Sequence, residues 1–187
     1  MNRGITTEEF AYIFDHTLLK PFSTEKDFQN VCADAIKYKF HSVAVNTGAV
    51  SICNKYLRGS GVKVDAAVGF PLGITTISCK FTEAKESILN GAGEVDYVLN
   101  IGRLKDKNEA YIKEEMQTIV YLCRQYGVVS KVIFENCYLT DEEKTKACQI
   151  ALEVGPDFVK TSTGFGPSSA TVEDIKLMKS IVGDKLK

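Results

Sequence analysis

Apolar and polar positions along the chain alternate between two periods at an even spacing. Short runs rich in Val, Ile, Ala and Phe occur at 14–19, 41–46, 62–70, 94–101, 129–135 and from Pro156 to Lys160. Between them lie stretches whose apolar residues recur at three and four positions, such as Phe28, Val31, Cys32, Ala35 and Ile36, or Ile112, Met116, Ile119, Val120 and Cys123. The first pattern predicts buried strands and the second amphipathic helices. Glycines stop the predicted helices at Gly59, Gly91, Gly127, Gly155 and Gly183. Thr6 with Glu9 and Thr140 with Glu143 have the spacing of capping boxes, and so mark helix starts.

Six consecutive βα units with no linker predict an α/β domain, with a parallel sheet covered by helices. Either an open doubly wound sheet or a (β/α) barrel fits. The first βα turn has no glycine-rich phosphate loop, and several strands carry evenly spaced polar residues, so the pattern favours the barrel. A complete (β/α)8 barrel takes about 250 residues, and this chain has 187.

Strand parity then sorts the polar residues. Side chains alternate between faces along a strand. Asp96, Val98 and Asn100 share one face, while Val95, Tyr97 and Leu99 form an apolar one. Lys131, Ile133 and Glu135 share a face, as do Phe158, Lys160 and Ser162, and as do Asp15 and Thr17. In a barrel these faces point inward, so two lysines and the carboxylates Asp15, Asp96 and Glu135 are expected to converge. Such a cluster can be a structural ion-pair network. Agreement among several strands points instead to a site where chemistry needs perturbed ionisation.

Lys160 is the centre of that reading, because it closes the apolar run Pro156-Asp157-Phe158-Val159 and leads into Thr161-Ser162-Thr163-Gly164-Phe165-Gly166. A desolvated amine loses its proton more readily and attacks carbonyls. The plainer alternative is a strand-end lysine whose ammonium reaches water.

Bulk composition removes other function classes. The chain is 44% hydrophobic and 25% charged with a net charge of -1, which gives no reason to expect nucleic acid or an anionic membrane as partner. No apolar run approaches the ~20 residues of a membrane span. The segment Met1–Glu9 has no apolar signal core, so a cytoplasmic protein is expected. Six scattered cysteines with no C-x-x-C pair read as reduced thiols. With two histidines and no metal-ligand spacing, no metal site and no nucleotide cofactor are expected.

The assembled segments resemble a known family. Asp15-His16-Thr17-Leu18-Leu19-Lys20-Pro21, Val68-Gly69-Phe70-Pro71-Leu72-Gly73, Glu94-Val95-Asp96 with Asn100-Ile101-Gly102, Lys131-Val132-Ile133-Phe134-Glu135 and Phe158-Val159-Lys160-Thr161-Ser162-Thr163-Gly164-Phe165 are similar, in order, to the signatures of deoxyribose-phosphate aldolases. The resemblance implies a TIM barrel and a class I aldolase that needs no cofactor. Its reaction would cleave 2-deoxyribose 5-phosphate reversibly to glyceraldehyde 3-phosphate and acetaldehyde, with these small molecules as partners.

By the same resemblance, Lys160 falls on the Schiff-base lysine, Asp96 on a proton-transfer acid and Lys131 on a pocket lysine. Asp15, Thr17 and Thr163 fall on substrate-binding positions, and Gly164 on the phosphate loop. Lys160 is then expected to have a depressed pKa. Ala44 and Thr47 stand where the family commonly has cysteine and proline. A seventh strand with a second active-site lysine, and an eighth, are implied by the resemblance but lie outside these residues. The corresponding expectation is a partly open barrel with little or no activity, being either part of a longer protein or a chain completed by a partner or by strand exchange, with a homodimer as one such assembly. A transaldolase-like Schiff-base enzyme and an inactive sugar-phosphate binder remain as alternatives.

Overall fold

The computed structural model describes residues 4–187; Met1, Asn2 and Arg3, the start of the segment without an apolar signal core, lie outside the described residues. Six strands form one parallel sheet in sequence order: β1 (Asp15–Leu18), β2 (Ser42–Asn46), β3 (Lys63–Val68), β4 (Glu94–Val98), β5 (Val129–Ile133) and β6 (Phe158–Lys160). Helices α1 (Thr7–Ala11), α2 (Glu25–Tyr38), α3 (Val50–Leu57), α4 (Ile77–Leu89), α5 (Ile101–Lys105), α6 (Glu109–Tyr126), α7 (Asp141–Val154) and α8 (Val172–Val182) precede β1 or follow the strands. Every neighbouring pair of strands is parallel, which is the order of a TIM-type (β/α) barrel with its first six units in place.

One strand parity faces the helices. Val95, Tyr97 and Leu99 pack with Val132 and Phe134 against Ile112, Met116, Ile119 and Cys123 of α6 and Ala147, Cys148 and Ala151 of α7. A second core joins Val43, Val45, Val64 and Ala66 to Val31, Cys32 and Ala35 of α2 and Val50, Cys53 and Leu57 of α3. Each fully buried Val, Leu or Ile in these layers contributes about 1.5–3 kcal/mol. The opposite parity brings Asp65, Glu94, Asp96, Lys131 and Lys160 to the inner face of the sheet.

The predicted capping boxes form at Thr6–Glu9 and Thr140–Glu143, and a third, Thr24–Asp27, opens α2. Gly127 and Gly155 close α6 and α7 in the left-handed conformation. The strands are shorter than the apolar runs. Ile101 begins α5 rather than extending β4, because the Asn100 side chain accepts a hydrogen bond from Arg103 N at 3.1 Å and caps a helix there. All six cysteines are free thiols. No helix of the described residues is long and apolar enough to cross a membrane.

The sheet is open between β1 and β6. The outer edge of β6 is met by Lys187, whose N–H donates to Asp157 O at 3.1 Å and whose carbonyl accepts from Val159 N at 3.0 Å.

Candidate active site

Register decides which side chains meet inside the curved sheet. Asp65 on β3 is level with Glu94 on β4, Asp96 with Lys131 on β5, and Ile133 with Lys160 on β6. Lys131 extends across the interior. Its Nζ lies 2.7 Å from Glu94 Oε2, 2.9 Å from both Asp15 Oδ2 and Asp65 Oδ2, and 3.3 Å from Asp96 Oδ1. Four carboxyl groups thus surround one buried ammonium.

Further contacts hold the outer carboxylates. Ser42 Oγ donates to Asp15 Oδ1 at 2.7 Å, and Glu94 Oε1 meets His41 Nε2 at 2.6 Å and Lys63 Nζ at 3.2 Å. Asp15, Asp65 and Glu94 are grouped closely enough to suggest a metal ion. The position between them is taken by Lys131 Nζ, so the cation of this cluster is the protein's own.

Burial and charge act against each other at Lys131, Asp15 and Glu94. Burial alone lowers the affinity of Lys131 for its proton, but Asp65, Asp96, Asp15 and Glu94 outweigh it and hold the ammonium well above its ordinary value. Desolvation pushes the Asp65 carboxyl well up, and repulsion from Asp96 adds to that. Asp15 and Glu94 are also desolvated, yet the Lys131 charge and its hydrogen bonds bring both below the usual carboxylate range.

Lys160 Nζ is in direct contact with Asp96 Oδ2, and its side chain keeps 36% of its exposure. Burial lowers its pKa, but Asp96 and Asp65 raise it by more, so the net shift is upward. The depressed amine expected from the sequence is therefore not the resting state here. The reason is count: Asp96 touches Lys160 directly, while the nearest cation, Lys131, is itself neutralised by carboxylates.

Lys160 opens into a cavity of about 450 Å³ at the C-terminal ends of the strands. Asp15, Thr17, Ala44, Asp65, Asp96, Phe70, Thr163 and Gly164 share its walls. Of the residues singled out from the sequence, Asp15, Thr17, Asp96, Lys160, Thr163 and Gly164 line this cavity together. Thr17 donates its hydroxyl to Asp15 O at 2.9 Å. Lys131 lies behind that wall and lines a second cavity of about 460 Å³, which Tyr12, His41, Glu94 and Phe158 also border. Asp15 and Lys160 border both.

Glu135 shares the parity of Lys131 but not its surroundings. β5 ends at Ile133, and Glu135 turns into the left-handed region at φ 46°. Its carboxyl meets Thr163 instead of a lysine. Asp65 and Glu94 join the cluster without having been expected from the sequence pattern. The signal for Asp65 was present, since it stands alone between Val64 and Ala66-Ala67-Val68 as Lys160 stands after Val159.

Comparison with known proteins agrees with this architecture. The model of the DeoC/LacD family aldolases matches residues 10–185. The deoxyribose-phosphate aldolase of Lactobacillus acidophilus is 51% identical over 182 residues, which is 97% of this chain and 77% of that protein. That of Bacteroides thetaiotaomicron is 48% identical over 180 residues, 96% of this chain and 76% of the other. Among solved structures, the aldolase QR15 superposes with a TM-score of 0.89 at 35% identity, covering 95% of this chain and 78% of its own. A deoxyribose phosphate aldolase from Aeropyrum pernix, reported as a tetramer, gives 0.88 at 28% identity over 96% of this chain and 75% of that one. The chain belongs to the DeoC/LacD family of aldolases.

Proposed function

We propose that the chain carries out class I aldolase chemistry through a Schiff base at Lys160, with 2-deoxyribose 5-phosphate, glyceraldehyde 3-phosphate and acetaldehyde as reactants. The contact between Lys160 Nζ and Asp96 Oδ2 at the strand-end cavity carries this reading. It sets a nucleophile beside the group that can take its proton. The names of the relatives support the substrate.

In the cleavage direction, Lys160 transfers a proton to Asp96 and its free amine attacks C1 of the open-chain aldehyde, giving a carbinolamine. Asp96 returns the proton to the departing hydroxyl, and loss of water leaves an iminium. The Asp96 carboxylate then removes the C3 hydroxyl proton. The C2–C3 electron pair moves into the iminium, releasing glyceraldehyde 3-phosphate and leaving an enamine. Protonation of the enamine carbon and hydrolysis free acetaldehyde and Lys160. Asp15, Thr17, Thr163 and Gly164 form the wall against the sugar, and Lys131 acts from behind it as the cation that keeps the interior carboxylates in place.

Among the described residues β1 and β6 do not pair with each other, and the free edge of β1 offers a place for a second copy to add in a homodimer. Six free thiols fit a reducing, cytoplasmic setting.

Borohydride reduction in the presence of acetaldehyde tests the reading. One two-carbon adduct at Lys160, absent from Lys160→Arg, supports it. No adduct on the folded parent chain overturns it, and turnover of other sugars with rejection of deoxyribose 5-phosphate would favour transaldolase-like chemistry.

A further inference from the structure

Glu135 is a buried acidic residue whose partners are Thr163 and Cys137 rather than a cation. Its backbone sits at φ 46°, a region that residues with side chains seldom occupy. The surrounding structure over-determines that conformation. On one side Phe134 N donates to Lys160 O at 3.0 Å, and on the other Asn136 N donates to Thr161 O at 2.8 Å. The β5–β6 pairing therefore continues past Glu135 while Glu135 itself bulges out of it, aiming its side chain along the loop after Lys160.

The carboxyl ties that loop down. Oε1 accepts from Thr163 N at 3.3 Å, and Oε2 accepts from the Thr163 hydroxyl. Thr163 Oγ1 in turn accepts from Phe165 N at 3.0 Å. Gly166 packs so closely on the carboxyl that an added Cβ would stand 3.2 Å from Oε1 and 2.5 Å from Cys137 Sγ. A hydroxyl has one proton to donate. The Thr163 proton is spent on Glu135, so Thr163 contributes to the cavity by its placement and not as a free donor.

We propose that Glu135 is the positioning residue that fixes the Thr163–Gly164 wall relative to Lys160. It sets how a five-carbon sugar phosphate is seated without touching the reacting carbons. The inference rests on the Schiff-base reading for its choice of ligand. Acetaldehyde needs only the Lys160 amine, whereas the longer substrate also meets the wall.

The test compares Glu135→Gln and Thr163→Val with the parent chain. In Glu135→Gln one acceptor oxygen becomes an NH2 group, so one of the two bonds to Thr163 is lost. The concentration of deoxyribose 5-phosphate that gives half-maximal borohydride-trapped adduct at Lys160 is expected to rise about tenfold in either variant, the loss of roughly one hydrogen bond. In Glu135→Gln the value for acetaldehyde is expected to stay within about twofold, and the double variant is expected to lose no more for deoxyribose 5-phosphate than Thr163→Val alone. Equal shifts for both probes, or none for either, overturn the proposal. Amide hydrogen exchange at 161–166 gives a readout independent of the chemistry. Faster exchange in Glu135→Gln supports the positioning role even if the parent forms no adduct, and unchanged protection overturns it.

Discussion

Lys131 Nζ lies 2.7 Å from Glu94 Oε2, inside a barrel wall where three more carboxyl groups face the same ammonium. This contact makes Lys131 the interior counter-ion, with its proton held firmly, and leaves Lys160 as the lysine with access to substrate. Removing Lys131 would strand buried carboxylates without a cation. Lys131→Met is therefore expected to lose about 3–5 kcal/mol of stability in urea unfolding. Lys160→Met, which frees one partly exposed partner of Asp96, should lose much less. Equal losses would show that the cluster does not depend on Lys131.

Asp96 plays two opposing parts for Lys160, and pH separates them. Its charge raises the affinity of the amine for its proton, so through neutral pH the amine is held as ammonium. The rate of adduct trapping with acetaldehyde should then climb steadily from about pH 6 to 9 without levelling, because the reactive neutral fraction grows as pH approaches the raised pKa. Asp96→Asn removes the charge, lowers the lysine's pKa and moves that climb to lower pH. The same variant loses its proton carrier, so aldol cleavage should drop by about 10²–10⁴-fold. A climb that stays at the same pH in Asp96→Asn would contradict this division.

The sequence carried the inner face of the sheet because β-strand parity is a local property. Lys131 and Lys160 each lie in a mostly apolar run, and the register of three adjacent strands brings them to Asp96. The extent of the charge cluster was not local in that sense. Lys131 reaches Asp15 from 116 positions away along the chain, and only the curvature of the sheet brings them within a hydrogen bond. The direction of the Lys160 shift depends on how many carboxyls surround it, which follows from that same curvature. Parity also fails where the strand ends. Glu135 keeps its place in the alternation, but its left-handed backbone turns it from Lys131 toward Thr163.

Acid stability should reflect the members of the cluster differently. Asp15 and Glu94 have folded pKa values below their unfolded ones, so the stability they add is complete above about pH 4–5 and is lost as pH falls through the folded values. Asp65 has the opposite sign. Its folded pKa is raised, so the folded state binds the extra proton and stability declines as pH rises from near 4 toward that value. Asp65→Asn keeps an acceptor for Lys131 and removes this decline. Its unfolding free energy at pH 7 is expected to equal or exceed that of the parent, and a loss above about 2 kcal/mol would refute that sign.

A second buried ion pair sits outside the cavity and holds the end of β4. Lys80 Nζ is 2.6 Å from Glu115 Oε1 and donates to Val98 O at 2.7 Å, while Glu115 Oε2 accepts from Asn100 N at 2.8 Å. Both side chains are 0% exposed. Burial lowers the Lys80 pKa and raises that of Glu115, each shift opposed by the partner. Such a pair is worth little against apolar residues of similar size, but breaking it leaves one uncompensated charge. Lys80→Met is expected to cost about 3–5 kcal/mol in urea unfolding, and Lys80→Met with Glu115→Leu to recover most of that loss. The Val98 and Asn100 bonds flank the turn that follows Asp96, so the single variant should also weaken adduct trapping at Lys160 while the double variant restores it in part. If the second substitution deepened the loss, Glu115 would owe its place to contacts other than Lys80.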